Sequence, residues 1–254
     1  MEQGDNLTVP GKYIRIGTWN VEYAHNRRNS DRLALLHENP ADIWILTETH
    51  KSLDLSATHT PYPSEPRPIV SNVDAGSTWV TIWSRFELIA RIDVPDPRRQ
   101  VAAIFNTPMG KLAVAGVVLP WCSDKGDQPS ISPPTGWDEH KRVVQEEIPA
   151  LLRNLFAEAN CHHVIAGDFN TVLAQPGYGP GPNGIDALSA LLTSNGLVTH
   201  TMHIPYLNLP PYQKLIDHVC SDLGQAQSIT TWVGDDGQTP HLSDHPGVVA
   251  SFLV

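Results

Sequence analysis

Apolar runs of strand length, rich in Val, Ile and Trp, recur along the chain between polar or proline-bearing stretches. They predict strands over residues 13–19, 42–47, 77–84, 87–93, 100–106, 111–119, 163–166, 216–221, 228–233 and 248–253. Segment 42–47 (DIWILT) scarcely alternates, the pattern of a strand covered on both faces. TPMG at 107–110 makes its flanking strands a hairpin. Helical periodicity is rarer. Ser30 is placed to cap a helix reaching Glu38. Residues 138–159 repeat Val143, Val144, Ile148, Leu151, Leu152 and Leu155 at helical spacing, and 186–195 form a short helix. Pro149 interrupts the longer pattern and is expected to bend or break it. Residues 22–29, 56–75 and 121–136 read as loops, the last two rich in proline. Strands dominate without a βαβ series, which suits two sheets packed together with helices outside.

Composition narrows this picture. The chain has 254 residues, of which 41% are hydrophobic and 17% charged, so it is neither disordered nor dependent on disulfide staples. A single catalytic domain over residues 1–254 is expected, with residues 1–11 a flexible N-terminus. The three cysteines, Cys122, Cys161 and Cys220, are odd in number and widely spaced, which argues against a disulfide framework. With no apolar h-region at the start and no membrane-length apolar run, a cytoplasmic protein that binds no membrane is expected. The net charge is −10. The deficit is uneven, because beyond Arg153 the only base is Lys214, against eight acids. A broad basic clamp on nucleic acid cannot come from that half.

The acids themselves are placed unusually. Polar and acidic residues stand at the ends of apolar strands five times: TWNVE (Asn20, Glu22), LTETH (Glu48), GDFN (Asp168, Asn170), LIDHV (Asp217) and LSDHPG (Asp244, His245). Residues two apart on a strand share a face, so Asn20 and Glu22 are expected to project together, as are Asp168 and Asn170. Any one motif could be a turn; GDFN alone needs only a flexible Gly167 and a capping Asp168. A carboxylate at the end of a buried strand, however, costs several kcal/mol unless paired or metal-bound. Five such places with too few bases to pair them favour a shared cation. Oxygen donors without cysteine suggest a hard ion, Mg²⁺ or Mn²⁺.

Taken in order, these motifs resemble those of the endonuclease/exonuclease/phosphatase superfamily, over nearly the whole chain from Ile16 to Val249. The resemblance implies an α/β fold, a four-layer αββα sandwich of two mixed sheets with helices outside. It implies that Glu48 is the principal Mg²⁺ ligand, that Asn20 lies beside the metal and the scissile phosphate, and that Asp244 is a further ligand. Glu22 falls where many nucleases have aspartate and is expected to hold metal through water. The resemblance makes Asp168 the base for the attacking water, Asn170 a hydrogen bonder to phosphate or water, and His245 a donor to a non-bridging phosphate oxygen. Asp217 is expected to pair with His245 and set its tautomer. One feature departs from the family: many members carry Tyr or His at the end of the strand read here at 111–119, where this chain has Val117-Val118-Leu119-Pro120-Trp121. Signatures of the phosphatase subfamilies are absent too.

Several other residues are candidates. Arg27 and Arg28 follow the first motif and, with Trp121 and Lys214, are expected to contact substrate. Trp137 and Tyr178 fall in segments expected to rim the site. Arg98 and Arg99 read as surface charges, and Cys161-His162-His163 as packing. His241 and His245 have the spacing of a zinc pair, but Pro240 and Pro246 exclude the helix it would need. The sequence therefore predicts a Mg²⁺-dependent phosphodiester hydrolase, most simply a nuclease, with nucleic acid or another phosphodiester as substrate and no obligate protein partner. The alternative is a phosphatase or phosphodiesterase on a small-molecule or lipid-headgroup ester; a non-catalytic member of the fold is disfavoured by the near-complete residue set.

Overall fold

The computed structural model describes residues 13–23, 27–67, 75–124, 136–173, 177–202, 214–235, 237–238 and 241–254. The expected flexible N-terminus and most of the 121–136 loop lie outside these residues. The elements run β1 (Tyr13–Asn20), α1 (Asn29–Glu38), β2 (Ile43–His50), β3 (Thr60–Pro63), β4 (Ser77–Ser84), β5 (Glu87–Ile92), β6 (Gln100–Thr107), β7 (Gly110–Val118), α2 (Asp138–Leu155), β8 (Cys161–Asp168), α3 (Pro182–Ser194), β9 (Val198–Thr199), β10 (Asp217–Ser221), β11 (Ser228–Trp232) and β12 (Gly247–Leu253). They form two six-stranded sheets, ordered β11-β12-β1-β2-β4-β3 and β5-β6-β7-β8-β10-β9. Both are mixed: β1 pairs parallel with β2, β7 parallel with β8, and the other pairs are antiparallel.

Side-chain alternation explains the four layers. In β2, Ile43 and Ile45 face the second sheet, in a core with Val80, Ile82, Val114, Val164 and Phe252. Trp44 and Leu46 face outward, onto Leu36 of α1 and beside Trp19 and Trp83. The unbroken apolar run at 42–47 is thus a central strand buried on both sides. The outer face of the second sheet, with Ala113, Ala115 and Ile165, packs on Val143, Leu151 and Leu152 of α2 and on Leu188 and Leu192 of α3. Each such buried side chain contributes roughly 1.5–3 kcal/mol from leaving water, so the three apolar layers together hold the sheets in fixed register. This is the four-layer αββα sandwich that the resemblance implied.

Four local expectations change. Helix α1 starts at Asn29 with Arg28 as its N-cap and no side-chain cap, so Ser30 lies inside the first turn. Helix α2 continues through Pro149 as far as Leu155, without breaking. The carbonyl that loses its partner there belongs to Gln145, which lies on the exposed face where water can serve it. The proline-rich stretch 56–75 contains the strand β3. It is an edge strand; Ser64 N–H, two positions from Tyr62, bonds to Val80, so Pro61 and Pro63 turn their nitrogens to the free side. Short β9 was not foreseen.

Topology brings the motifs to one end. Parallel β1 stops at Asn20 opposite Thr47, and β2 runs past it to His50 with Glu48 next after Thr47. Antiparallel β12 pairs Val248 with Thr18, so the residues just before β12 lie past the end of β1. In the second sheet Asp217 opens β10 directly opposite Asp168, which closes β8. No described helix is long and apolar enough to cross a membrane.

Candidate active site

Backbone strain gathers where these strands end. Glu22, Tyr23, Glu48 and Asn170 all take positive φ, between 46° and 52°, a conformation that costs non-glycine residues about 1–3 kcal/mol. Just before Asp168, Gly167 has φ +134°, and a Cβ there would collide with the Val117 carbonyl. The strand can be re-aimed at that point only by glycine. Gly234 is required for another reason: a Cβ on it would strike the carbonyls of Ser243 and His245. The SDH turn therefore rests directly on backbone.

The turn is also tied to the first motif. Ser243 Oγ donates to the Asn20 carbonyl at 2.6 Å and accepts the His245 N–H at 2.9 Å, while Trp19 Nε1 donates to the His245 carbonyl at 3.0 Å. His245 Nδ1 meets Asp217 Oδ2 at 2.6 Å. Burial works against the charged imidazole, but Asp217 and Asp168 outweigh it and raise the His245 pKa to about 10. Asp217 is completely buried, and its Oδ1 has no hydrogen-bond partner among the described residues.

Asp168 is also buried. Its Oδ1 accepts Asn170 N–H at 2.8 Å, and Oδ2 accepts Nδ2 of Asn170 and of Asn20, both at 3.2 Å. Asn170 Nδ2 also donates to the Leu119 carbonyl at 2.9 Å. Asn170 reaches Asp168 through this Asx-type turn rather than strand alternation, since β8 ends at Asp168. Burial lifts the Asp168 carboxyl to about 7; His245 opposes the rise, and Asp217 adds to it. Asp168 and Asp217 thus compete for one imidazolium.

Glu48 stands on the other flank, half-buried within β2, at the position that the pairing with β4 skips between Thr47 and Thr49. Burial raises its pKa, and His245, an Asn20 hydrogen bond and Arg67 pull it back. Tyr23 N–H bonds to the Glu48 carbonyl at 2.9 Å, extending the β1–β2 contact beyond the strands. Burial, and then the nearby Glu48 carboxylate, hold the Tyr23 phenol far above its ordinary pKa. Behind it lies a stack of rings and guanidiniums. Arg67 sits 4.4 Å from the Tyr23 ring centre and 3.5 Å from that of Trp79. Arg99 lies 4.7 Å from Trp79 and 5.4 Å from Trp121.

Glu48, Asp168, Asn170, Asp244 and His245 line one cavity of about 340 Å³, together with Trp121, Tyr178, Lys214 and Ile216. A larger hollow, about 440 Å³, lies at the opposite end of the first sheet around Tyr13, Arg15, Thr230 and Ser251. It holds none of these groups, so chemistry and not size marks the site. Asp244 is exposed, its Oδ1 3.8 Å from His245 Nε2. Lys214 places Nζ 5.1 Å from the Tyr178 ring centre.

Other candidates stand apart. Because β1 ends at Asn20 and Glu22 has φ 46°, the expected shared face is lost. Glu22 instead forms an ion pair with His241 Nε2 at 2.6 Å, outside the cavity lining. Arg28 pairs with Asp31 at 2.9 Å; Arg27 is exposed and gives its carbonyl to Arg32. Neither arginine lines the cavity. Arg99, read as a surface charge, is buried and forks onto Asp124 at 2.6 and 3.2 Å. His163 packs on Phe156, rings 3.9 Å apart, and bonds Asp222 at 2.7 Å. Sequence reasoning missed Tyr23, Arg67 and Trp79. Their only signal was Trp79 inside an apolar strand; Tyr23 and Arg67 lie in segments without periodicity.

The donor set suits a hard divalent cation. Glu48, Asn20 and Asp244 offer oxygen, and one ligand atom each from Asp168, Asp217 and His245 lies within 4.8 Å of the others. The orphaned Asp217 Oδ1 in that group is an acceptor with spare capacity. His245 is the weakest of these as a metal ligand, since two carboxylates favour its cationic form.

Comparison with known proteins agrees with the geometry. No curated protein sequence matches the chain. Among solved structures, the human Nocturnin catalytic domain is similar at TM-score 0.65 and 16% identity, covering 94% of this chain and 93% of its own. A 3′ phosphatase, NExo, from Neisseria matches at TM-score 0.65 and 20% identity, over 94% and 99%. An AP endonuclease from Archaeoglobus fulgidus matches at TM-score 0.65 and 17% identity, over 95% and 100%. At such identities the likeness speaks for the fold. The sequence profile of the Endonuclease/Exonuclease/phosphatase family matches residues 17–245, from the start of TWNVE through the histidine of SDH. The chain belongs to that family, and is thereby a metal-dependent phosphoric ester hydrolase.

Proposed function

We propose that the protein cleaves phosphodiesters in short stretches of nucleic acid, with Mg²⁺ as its cation and Mn²⁺ as a substitute. The observation that carries this reading is one cavity where a carboxyl held near neutrality, Asp168, faces an imidazole held cationic, His245. A site with a base and a cation tuned in opposite directions suits attack by water on a phosphate.

Asp168, its plane fixed by three donors, takes the proton of the attacking water as the new O–P bond forms. His245 donates from Nε2 to a non-bridging oxygen, while Asp217 holds the Nδ1 proton and the cationic form. Asn20 and Asn170 orient phosphate and water through their amides. The ester bond opposite the attacking oxygen breaks, and the leaving oxygen is protonated from solvent. Glu48, with Asn20 and Asp244, would hold the cation, which supplies neutralisation of the charge that builds on phosphate.

Nucleic acid is favoured by the aromatic flank. Trp121 reaches the cavity with Trp79 tilted against it at 5.7 Å, and Arg67 and Arg99 are interleaved in the same stack. Rings backed by guanidinium are a platform for a base beside its phosphate. The Neisseria relative was solved with a product DNA hairpin. The acidic second half restricts the contact to a few nucleotides near the cation.

The test is a substrate panel under one Mg²⁺ condition: single-stranded, duplex and abasic DNA, RNA, bis-p-nitrophenyl phosphate and inositol phosphates, each with an EDTA control. Metal-dependent cleavage of nucleic acid that weakens with salt is expected. Hydrolysis of monoesters alone would overturn the nuclease reading.

A further inference from the structure

The end of β7 contributes no polar side chain to the cavity, because Leu119 is buried in the outer core and Pro120 follows it. A phenol arrives at that place from elsewhere. Tyr178 belongs to the segment after GDFN, and its carbonyl accepts Val172 N–H at 2.9 Å, which folds the segment back toward β8. Its ring meets the edge of Trp137, centres 5.0 Å apart at 77°, and Lys214 Nζ lies over it. These contacts aim the ring into the cavity that Asp168, Asn170 and His245 line.

The phenol is placed by its ring. Its ring is held between Trp137 and Lys214 at the cavity wall, beside the Cys122 backbone three residues past Leu119. A phenol lining the cavity has an O–H to give to a ligand there. Burial, and then the Asp168 charge, push the phenol above its ordinary value, so it remains a donor at every working pH. The carboxylates Asp168 and Asp244 and the ammonium of Lys214 are the charges beside it, and a phosphate bound with the cation is the ligand group that would meet its hydroxyl.

We propose that Tyr178 donates a hydrogen bond to a non-bridging phosphoryl oxygen of the substrate, sharing the phosphate with His245. This rests on the phosphodiesterase reading above. No proton is transferred; the bond strengthens as the oxygen gains charge at the transition state, so its effect falls on kcat more than on KM. Lys214, tethered over the ring, adds positive charge at the same edge.

Tyr178→Phe tests this, since it keeps the ring against Trp137 and removes only the hydroxyl. On a diester that the wild type cleaves, kcat should fall about 100-fold, as for other preorganised oxyanion donors, with KM within threefold. The melting temperature and the Mg²⁺ midpoint should be unchanged. A stereochemical readout separates contact from packing. Diesters with one non-bridging oxygen replaced by sulfur should show, in the wild type, an extra penalty for one isomer, and Tyr178→Phe should lose that penalty. Equal thio effects in both proteins, or kcat within threefold of wild type, would overturn the proposal while leaving the phosphodiesterase reading intact. A wild type inactive on every diester sinks that reading, and this contact with it.

Discussion

On one flank of the cavity, Asp168, Asp217 and His245 answer one another at hydrogen-bonding or near-contact distance, with Asn20 and Asn170 donating to Asp168. On the other, Glu48 lies inside β2 with strained φ, one phenol, one amide and a guanidinium stack around it. The first flank contains its own counter-charge. The second meets burial with partners that only partly offset it, which leaves room for an external cation. Both carboxyls are raised by desolvation, yet only Asp168 has an imidazolium beside it within the 4.8 Å group. A self-contained pair is suited to moving a proton, and an under-compensated carboxylate to holding a metal.

The largest effects should separate the two flanks. Asp168→Ala and His245→Ala should each lower kcat by about 10³–10⁴-fold, the upper range for a general base or an electrostatic donor, and excess Mg²⁺ should not restore it. Glu48→Gln should cost about 10²-fold at low Mg²⁺ and recover most of that at high Mg²⁺, because a metal ligand trades against metal concentration. Steady-state rates across a Mg²⁺ titration decide this. Metal rescue of Asp168→Ala, or none for Glu48→Gln, would exchange the two assignments.

The pH profile sharpens the same contrast. The base must be ionised, so the rate should rise through neutral pH as Asp168, at about 7, loses its proton. It should fall as His245, at about 10, loses its own. Bound Mg²⁺ favours the carboxylate and should shift the acid limb downward, while Asp217→Asn should bring the alkaline limb down toward an ordinary histidine. Stability carries the matching sign. Both folded-state values lie above the unfolded ones, so these groups stabilise fully below about pH 4 for Asp168 and 6.5 for His245. That contribution is lost as pH rises through about 7 and about 10 respectively. In EDTA, melting temperature should therefore fall across the neutral range, and Mg²⁺ should restore it. A melting temperature that rises from pH 6 to pH 9 in EDTA would contradict this balance.

How much of this was legible depends on the kind of signal. The strand-end motifs marked the residues that the fold brings together, Asp168, Asp217 and His245, since a polar residue after an apolar run is visible in one dimension. The doubly buried β2 was legible for the same reason. The Glu48 surroundings were not. Arg67 and Tyr23 reach Glu48 through β-strand pairing and positive φ, which leave no periodicity, and Arg99 pairs across the fold with Asp124. Alternation also failed where it was extrapolated beyond the strand: Asn20 and Glu22 part because β1 stops at Asn20. Asn170 reached Asp168 anyway, through a turn that its own side chain closes.

The ring-and-guanidinium stack should matter at an intermediate level. Arg67→Ala should raise KM for an oligonucleotide about tenfold, with a shallower salt dependence, and should scarcely change turnover of bis-p-nitrophenyl phosphate. The size follows from stacking worth about 1–3 kcal/mol per base plus one lost phosphate contact. An equal loss on both substrates would place Arg67 in support of Glu48 instead of a strand.

The smallest effect belongs to Glu22, and it bears directly on where the metal flank ends. Its motif position suggested a metal contact through water, yet its carboxylate is paired with His241, with both side chains more than a third exposed. An exposed pair of this kind contributes about 0–1 kcal/mol. Glu22→Gln should therefore leave kcat, KM and the Mg²⁺ midpoint within about threefold of wild type, and move the melting temperature by no more than a degree or two. If Glu22 reaches the metal instead, Glu22→Gln and Glu48→Gln should weaken Mg²⁺ in parallel, and the double substitution should cost no more than the larger single one. Non-additivity of that kind reports shared coordination, and it would extend the under-compensated flank from β2 back to the loop after β1.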